Sequence, residues 1–470
     1  MNQEVQTGVQ QNPLATEKVS KLIIKFGVPS VVAMLVNSLY NIVDQIFIGN
    51  GVGYLGNAAT NVAFPMVTIS LAIALLIGDG GAAYFSLKLG EGDKEKAAKG
   101  LGNMVTVSVI AGVLFLVLGL LFFNPLLGLF GATDKVLPYA QQYTQVIILG
   151  LPFMMISTAL NASIRADSSP KFAMVSMLTG AVINTILDPI FIFVFKWGVA
   201  GAAWATIIGQ IAGCIISFVY LGRFKNVKFH AKLMKLDWKT TRTFLSFGAS
   251  SFITQVAVTL VIIVSNNVLR IFGAQSVYGA EIPLSVFGIV MKVNQILMSF
   301  FVGLSVGGQP IIGFNYGARN FDRVKKTYLR LVTIATVIAV LGWIAFMFFP
   351  EYIVAVFGQG DALYQEFAIK CFRLYLMFCF ANGFQIVSSI YFQAIGKPVR
   401  SSILSLSRQI LFLIPMLLIL PLFFGVEGAL YSGAVADAGA ALLAAGFIVY
   451  EMKRLDKKHL KTLKNTPEGV

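Results

Sequence analysis

Polar residues in this chain gather into short clusters, and between the clusters lie long apolar runs. The runs fall near residues 22–49, 57–87, 101–123, 137–162, 171–195, 199–221, 243–272, 281–312, 323–349, 362–392, 399–423 and 427–451. An α-helix needs about 20 apolar residues to cross the ~30 Å hydrocarbon layer. A membrane barrel strand needs only about 10, with alternating polarity. These runs are too long and too evenly apolar for strands, so the pattern predicts an all-α membrane protein with twelve transmembrane helices.

The pattern also repeats. Gly90-Glu-Gly-Asp-Lys with Ala98-Lys99 matches Gly317-Ala-Arg-Asn-Phe with Lys325-Lys326. Phe130-Gly131 with Asp134 matches Phe357-Gly358 with Asp361, and Gly198-Val-Ala-Gly-Ala202 matches Gly425-Val-Glu-Gly-Ala429. All three pairs are 227 residues apart; Phe26-Gly27 and Phe247-Gly248 are 221 apart, which places a short insertion after span 7. Each copy holds six spans, so both enter the membrane in the same sense, related by an axis along its normal. Parallel repeats of this kind occur in transporters, with the substrate site between the halves. The expected division is a tail at 1–20, a first lobe at 21–222, a basic linker at 223–242, a second lobe at 243–452 and a tail at 453–470.

Composition agrees with lipid as the main solvent. The chain is 57% hydrophobic and 12% charged, whereas soluble domains carry about 25% charged residues. With both termini inside, only Lys135, Lys196 and Arg270 fall on the outer side, and Lys292, Lys370, Arg373 and Arg408 fall within spans; the rest of the 36 Lys and Arg are cytoplasmic. This positive-inside bias accounts for the net charge of +15 without a nucleic-acid partner, including the basic stretch 223–242. It predicts a multi-pass cell-membrane protein, and the first span has no separate signal peptide before it. Cys214, Cys371 and Cys379 sit inside spans and His230 and His459 in basic segments, which gives neither a disulfide framework nor a metal cluster. No phosphate-binding loop or nucleophile–base arrangement stands out, so neither an enzyme nor an organic cofactor is expected.

Charges inside spans need a reason, because one at the bilayer centre costs about 2.5–3.5 kcal/mol even on insertion scales. Asn37, Tyr40, Asn41 and Asp44 recur at three- and four-residue spacing and predict one polar stripe on span 1. Asn184 and Asp188 lie one turn apart on span 5, and Pro189 frees a backbone carbonyl beside them. The equivalent positions of the second copy hold Ser265 and roughly Pro415, so the paired carboxylates belong to the first copy alone. Two carboxylates in a low dielectric cannot both hold charge cheaply; such a pair can exchange a proton, bind sodium with neighbouring oxygens, or serve as a structural contact. Lys292 and Arg408 lie deep enough to line a cavity or pair with an acid. Asp437, equivalent to Gln210, is expected to make an interhelical contact, and Asp79 in Gly78-Asp-Gly-Gly81 fits flexibility or capping as well as function.

The duplicated twelve-span layout, Tyr40-x-x-x-Asp44, Asn184-x-x-x-Asp188-Pro189 and Arg165-Ala-Asp-Ser-Ser-Pro170-Lys171 resemble the multidrug and toxic compound extrusion (MATE) transporters over residues 20–450. The resemblance implies two pseudo-symmetric six-helix bundles in a V, and export of organic drugs driven by inward protons or sodium. It implies a first-lobe cation site of Asp44, Asn184, Asp188 and Thr206, with Tyr40 and Asn161 in its polar network. The family branch with acids in spans 7 and 10 is not matched, since span 7 offers Ser265, Asn266 and Asn267. The expected partners are small organic molecules and the bilayer, with the chain a monomer. A lipid or lipid-linked oligosaccharide flippase of the same superfamily is the alternative, kept open by Lys292 and Arg408; a receptor or scaffold would not need the carboxylates.

Overall fold

The computed structural model describes residues 12–130, 134–279, 281–357 and 362–464. Gly131, Gly358 and Asp361 of the repeat, and the tail residues 1–11 and 465–470, lie outside the described residues. Among the described residues eleven helices are long and apolar enough to cross a bilayer, and one bent pair, counted as one span, makes a twelfth. The first six are α1 (Val19–Val52), α2 (Tyr54–Gly90), α3 (Lys94–Leu129), α4 (Leu137–Ala166), α5 (Pro170–Pro189, continued as a π turn over Ile190–Val194) and α6 (Gly198–Val219). The second six are α7 (Trp238–Ala274), α8 (Glu281–Gly317), α9 (Phe321–Phe348), α10 (Ala362–Tyr375 with Asn382–Ala394), α11 (Pro398–Phe424) and α12 (Val426–Lys464). Several helices begin or end well beyond their apolar runs: α3 starts seven residues before residue 101, at Lys94, where the Asp93 carboxylate caps the Lys96 amide at 3.0 Å.

Three spans depart from simple helices. α10 is bent by 41°, and the Met377 carbonyl at its break accepts a bond from the Trp343 indole of α9 at 2.7 Å. α11 contains a π segment over Ser407–Leu413, as its counterpart α5 does over Ile190–Val194. Each π segment is followed, after the remainder of its span, by a turn on a left-handed glycine, Gly198 at φ 59° and Gly425 at φ 58°. The repeated Gly-Val-x-Gly-Ala motif thus marks one tight turn used twice, since only glycine takes that backbone cheaply.

The lobes meet along a seam of small residues. Gly80 of α2 lies against the backbone of Phe244 and Gly248 of α7, and Gly307 of α8 against Phe26 and Gly27 of α1. Under the repeat Gly80 corresponds to Gly307 and Gly27 to Gly248, so one contact is the symmetry image of the other. Gly90 and Gly317, also equivalent, each face the other's helix backbone, which places the pseudo-two-fold axis between them. All these residues belong to the helix halves nearest the basic linker. Beyond the seam, towards the opposite end, Phe64, Val256 and Leu260 are exposed, and the lobes part as a V closed at its basic end. Gly248→Val would force its methyl groups into the Leu76 backbone. The expected cost is about 1–3 kcal/mol, read as a lower midpoint of thermal unfolding in detergent.

The basic end is also laced. The Asn12 amide donates to Asn226 of the linker at 2.9 Å. Leu14 is fully buried, and its carbonyl accepts from Asn315 of α8 at 3.0 Å and Arg323 of α9 at 3.1 Å. Arg323 also reaches the Glu17 carbonyl at 2.7 Å. Asn226 in turn donates its backbone and side-chain N–H groups to the buried Asp167 carboxylate at 3.0 and 2.9 Å. Further along the linker, hydrogen bonds from Thr240 and Lys99 hold the Asp237 carboxyl down at about 2. Residues 12–17 therefore tie the second lobe to the linker, which in turn holds Asp167 of the first lobe.

Candidate functional site

The site begins with a close approach of α5 and α6. Gly180 and Gly209 face each other so tightly that a β-carbon on Gly180 would sit 2.9 Å from the Gly209 carbonyl. That approach lets the Asn184 amide of α5 donate to Thr206 Oγ1 of α6 at 3.2 Å and to Asp188 Oδ1 at 3.2 Å. Asn184 is 3% exposed and Asp188 is fully buried. Directly after Asp188 the helix meets Pro189, which has no N–H to give, and continues in π geometry, a distortion common at functional positions. Gly209→Val should separate α5 from α6 and break the Asn184–Thr206 bond. If Thr206 belongs to the working site, ion-driven dye export by this variant should fall at least as far as in Thr206→Ala.

The Asp44 carboxyl of α1 completes the arrangement, within hydrogen-bonding range of the Asp188 carboxyl. Ionised carboxylates only accept hydrogen bonds, so this contact requires a proton on one of them or a cation between them. The surrounding groups supply more acceptors and few donors. Asp44 Oδ1, Asp188 Oδ2 and Asn184 Oδ1 are buried without hydrogen-bond partners, as is Gln210 Oε1 of α6, one turn from Thr206. Asn161 Oδ1 of α4 is also unpartnered but stands apart, its bonded neighbour Ser157 lying by Gly213, about two turns from Thr206. Buried polar atoms are normally satisfied. An all-oxygen set built on two carboxylates suits a proton or a hard cation, and lacks the thiolate or imidazole that a soft metal would select.

The other expected residues are distributed unequally. Tyr40 lies near enough for its hydroxyl to feel the charges of Asp44 and Asp188. Asn161 bonds back along its own helix, to the Ser157 carbonyl at 2.9 Å. Asn37 and Asn41 are exposed and bond to each other, Asn41 donating to Asn37 Oδ1 at 3.1 Å. The stripe on α1 therefore splits: Tyr40 and Asp44 face the acid pair, while Asn37 and Asn41 stand outside it. Two residues were not foreseen. Tyr143 of α4, 8% exposed, is placed within the field of Asp44, Tyr40 and Asp188, and Gln210 stands one turn beyond Thr206. A lone tyrosine in an apolar span reads as core; its one available signal is the neighbouring Thr144.

The second lobe settles its buried acid differently. Asp437 of α12 accepts from Arg408 of α11 at 2.7 Å and from Asn382 of α10 at 3.0 Å. Arg408 is therefore engaged in an ion pair inside the lobe and is not a free cavity cation. Lys292 is exposed on α8. Asp79, at the seam, accepts from Ser251 of α7 at 2.8 Å, and Gln393 of α10 donates to the same Ser251 at 3.1 Å. Arg165, buried on α4, supplies the nearby positive charge, so Asp79 ties the two lobes together.

Comparison with known proteins identifies the class. The MatE family model matches residues 29–190 and 251–419, and the chain belongs to the MatE family. It is similar to the multidrug export protein MepA of Staphylococcus aureus (strain MRSA252), 26% identical over 436 residues, which cover 93% of this chain and 94% of that one. MepA of Staphylococcus haemolyticus (strain JCSC1435) is 27% identical over 439 residues, covering 92% and 94%. Among solved structures, an outward-facing multidrug resistance MATE transporter of the MOP superfamily superposes with a TM-score of 0.88 at 24% identity, over 96% of this chain and 99% of that one. A MOP superfamily transporter from Pyrococcus furiosus, described as having a binding pocket of reverse polarity that suggests a different function, gives 0.87 at 23% identity over 96% and 98%. These structures share the V-shaped fold.

Proposed function

We propose that the chain is a secondary active exporter that moves cationic or amphipathic organic compounds outward in exchange for protons or sodium ions. The observation that carries this reading is the contact of Asp44 and Asp188, a half-buried and a fully buried carboxyl, each with an unpartnered oxygen and with no ion pair among the described residues. The second lobe offers the contrast. There Asp437 is neutralised by Arg408 on the neighbouring helix, whereas the acids of the first lobe have a place for a cation that comes and goes.

In this mechanism the basic end is cytoplasmic, in keeping with the positive-inside bias, and the V opens outward. A proton or sodium ion entering from outside neutralises the Asp44–Asp188 pair. Asn184 and Thr206 then repack between α5 and α6, and the π turn beside Asp188 gives α5 room to adjust. The cation must bind the two conformations with different affinity, and so must the compound exported. The lobes, residues 21–222 and 243–452, rock about the linker at 223–242 within a monomer, so that the seam opens as the outer cleft closes.

Dye efflux from proteoliposomes tests this, first under an imposed pH gradient and then under an imposed sodium gradient. Export driven by either gradient is expected. Transport indifferent to both, or lipid scrambling alone, would overturn the reading in favour of a passive carrier or a flippase.

A further inference from the structure

We propose that the second lobe's wall of the cleft forms an anion-accepting subsite centred on Lys292, which takes the carboxylate or sulfonate of a zwitterionic or anionic organic compound. This deepens the export reading and rests on it for its biological use.

The position of Lys292 follows from the faces of α8. Val290, Asn294, Leu297 and Phe301 are buried and turn into the second lobe. Ser299 and Gly303 point the other way: Ser299 shares a hydrogen bond with Ser38 of α1 at 2.7 Å, and Gly303 lies against Val31 of α1. Lys292 is seven residues before Ser299, about two turns at 3.6 residues per turn, and so stands on this same α1-facing side. Ser299 is in contact with the first lobe, and Lys292 is exposed. The lobes have therefore parted at its level, and the side chain looks into the cleft rather than into lipid. Eleven residues of α8 precede it, about 16 Å at 1.5 Å per residue, which places it deep below the outer mouth.

The surroundings have one sign. α1 and α8 run antiparallel, so the residue facing this level on α1 is near Gln45, seven residues beyond Ser38. Asp44 beside it is engaged with Asp188, and among the described residues no ion pair includes Lys292. Gln295, one turn deeper on α8, is exposed and adds a carboxamide. On α7, Asn266 lies 18 residues, about five full turns, beyond the seam residue Gly248; Arg270 follows one turn later, and both are exposed. From Trp238 to Gly317 the sequence contains a single acid, Glu281, at the outer start of α8. This wall of the cleft is thus lined by two cations and several amides. An ammonium without an ion-pair partner, on a wall that carries no acid at its level, attracts an anionic group, and Lys292 provides that without disturbing the cation site in the first lobe.

The test uses purified full-length protein and a matched dye pair: rhodamine B, which carries a free carboxylate, and its methyl ester, which does not. Binding is followed by fluorescence anisotropy. Wild-type protein should favour the acid by about tenfold, the scale of one charge-assisted hydrogen bond. Lys292→Gln should bring the ratio of the two affinities close to one, and Lys292→Arg should keep most of the preference. Wild-type protein that binds the ester as well as the acid, or a Lys292→Gln variant that keeps the preference, overturns the proposal. Efflux of both dyes under a gradient is measured in parallel. If neither is exported while the binding preference and its dependence on Lys292 persist, the export reading fails and the anion subsite stands.

Discussion

Asp188→Asn is expected to abolish gradient-driven dye export while leaving a folded protein. The amide keeps the size of the carboxyl and can still accept from Asn184, so the contact between α5 and α6 survives. What it loses is the ability to exchange charge with an arriving cation. Moving a two-state transporter from 1:99 to 99:1 requires the driving ligand to favour one state by about 10⁴-fold, and an amide at this position forfeits most of that difference. Uphill export should therefore fall by at least about tenfold, by the same population arithmetic. Asp44→Asn should do the same. Because the two carboxyls are in contact and would share one cation in the proposed mechanism, the double variant should be scarcely worse than either single one, the non-additivity expected of directly coupled residues. Equal, full activity in both single variants would remove the coupling role from the first lobe.

A second large effect is expected from Arg408→Ala. Asp437 is fully buried and takes its compensating charge from Arg408. Removing one member of a buried ion pair typically costs about 3–5 kcal/mol, because the other charge is stranded. The variant should show a sharply lowered thermal midpoint in detergent and a poor yield of monodisperse protein. Asp437→Asn placed on top of Arg408→Ala should recover much of the loss, since neutral groups can share the Asn382 amide. The recovered double variant should also retain ion-coupled export if the working cation belongs to the first lobe. Loss of coupling with stability restored would move part of the motor to the second lobe.

The span layout was legible because hydropathy acts over whole turns, and helix ends were less so because polar caps such as Asp93 carry helices beyond the apolar run. The duplication was legible too, since Gly198 and Gly425 meet the same backbone demand. The bend in α10 was not. Residues 362–392 contain no proline to announce it, and what supports the break is a tertiary bond from Trp343, distant in sequence. The π segments were hidden for a related reason: they change hydrogen-bond partners without changing polarity. At the site, Asp44, Asn184 and Asp188 could be named from residue type and spacing and Thr206 only through the resemblance to the MATE transporters; the structure brings the four together. Spacing alone placed Asn37 and Asn41 with them, because a stripe states which side of a helix a residue occupies and not how wide the contact on that side is. Lys292 and Arg408 looked alike as charges within spans; only the neighbouring helices separate the one that is paired from the one that is exposed.

The π turn after Asp188 has a mechanical meaning. A π turn holds one more residue than an α turn. If that surplus passes along the helix, everything beyond it rotates by about 100° and advances about 1.5 Å, the values for one helical residue. Ile190–Val194 lies between the buried carboxyl and the outer end of α5, and α11 carries a π segment of its own at Ser407–Leu413, earlier in its helix than the equivalent of 190–194. Each lobe therefore holds one residue of slack, like a spare link in a chain. In the first lobe that link lies directly against the acid pair, so a change of charge there has a short path to turning a whole helix end.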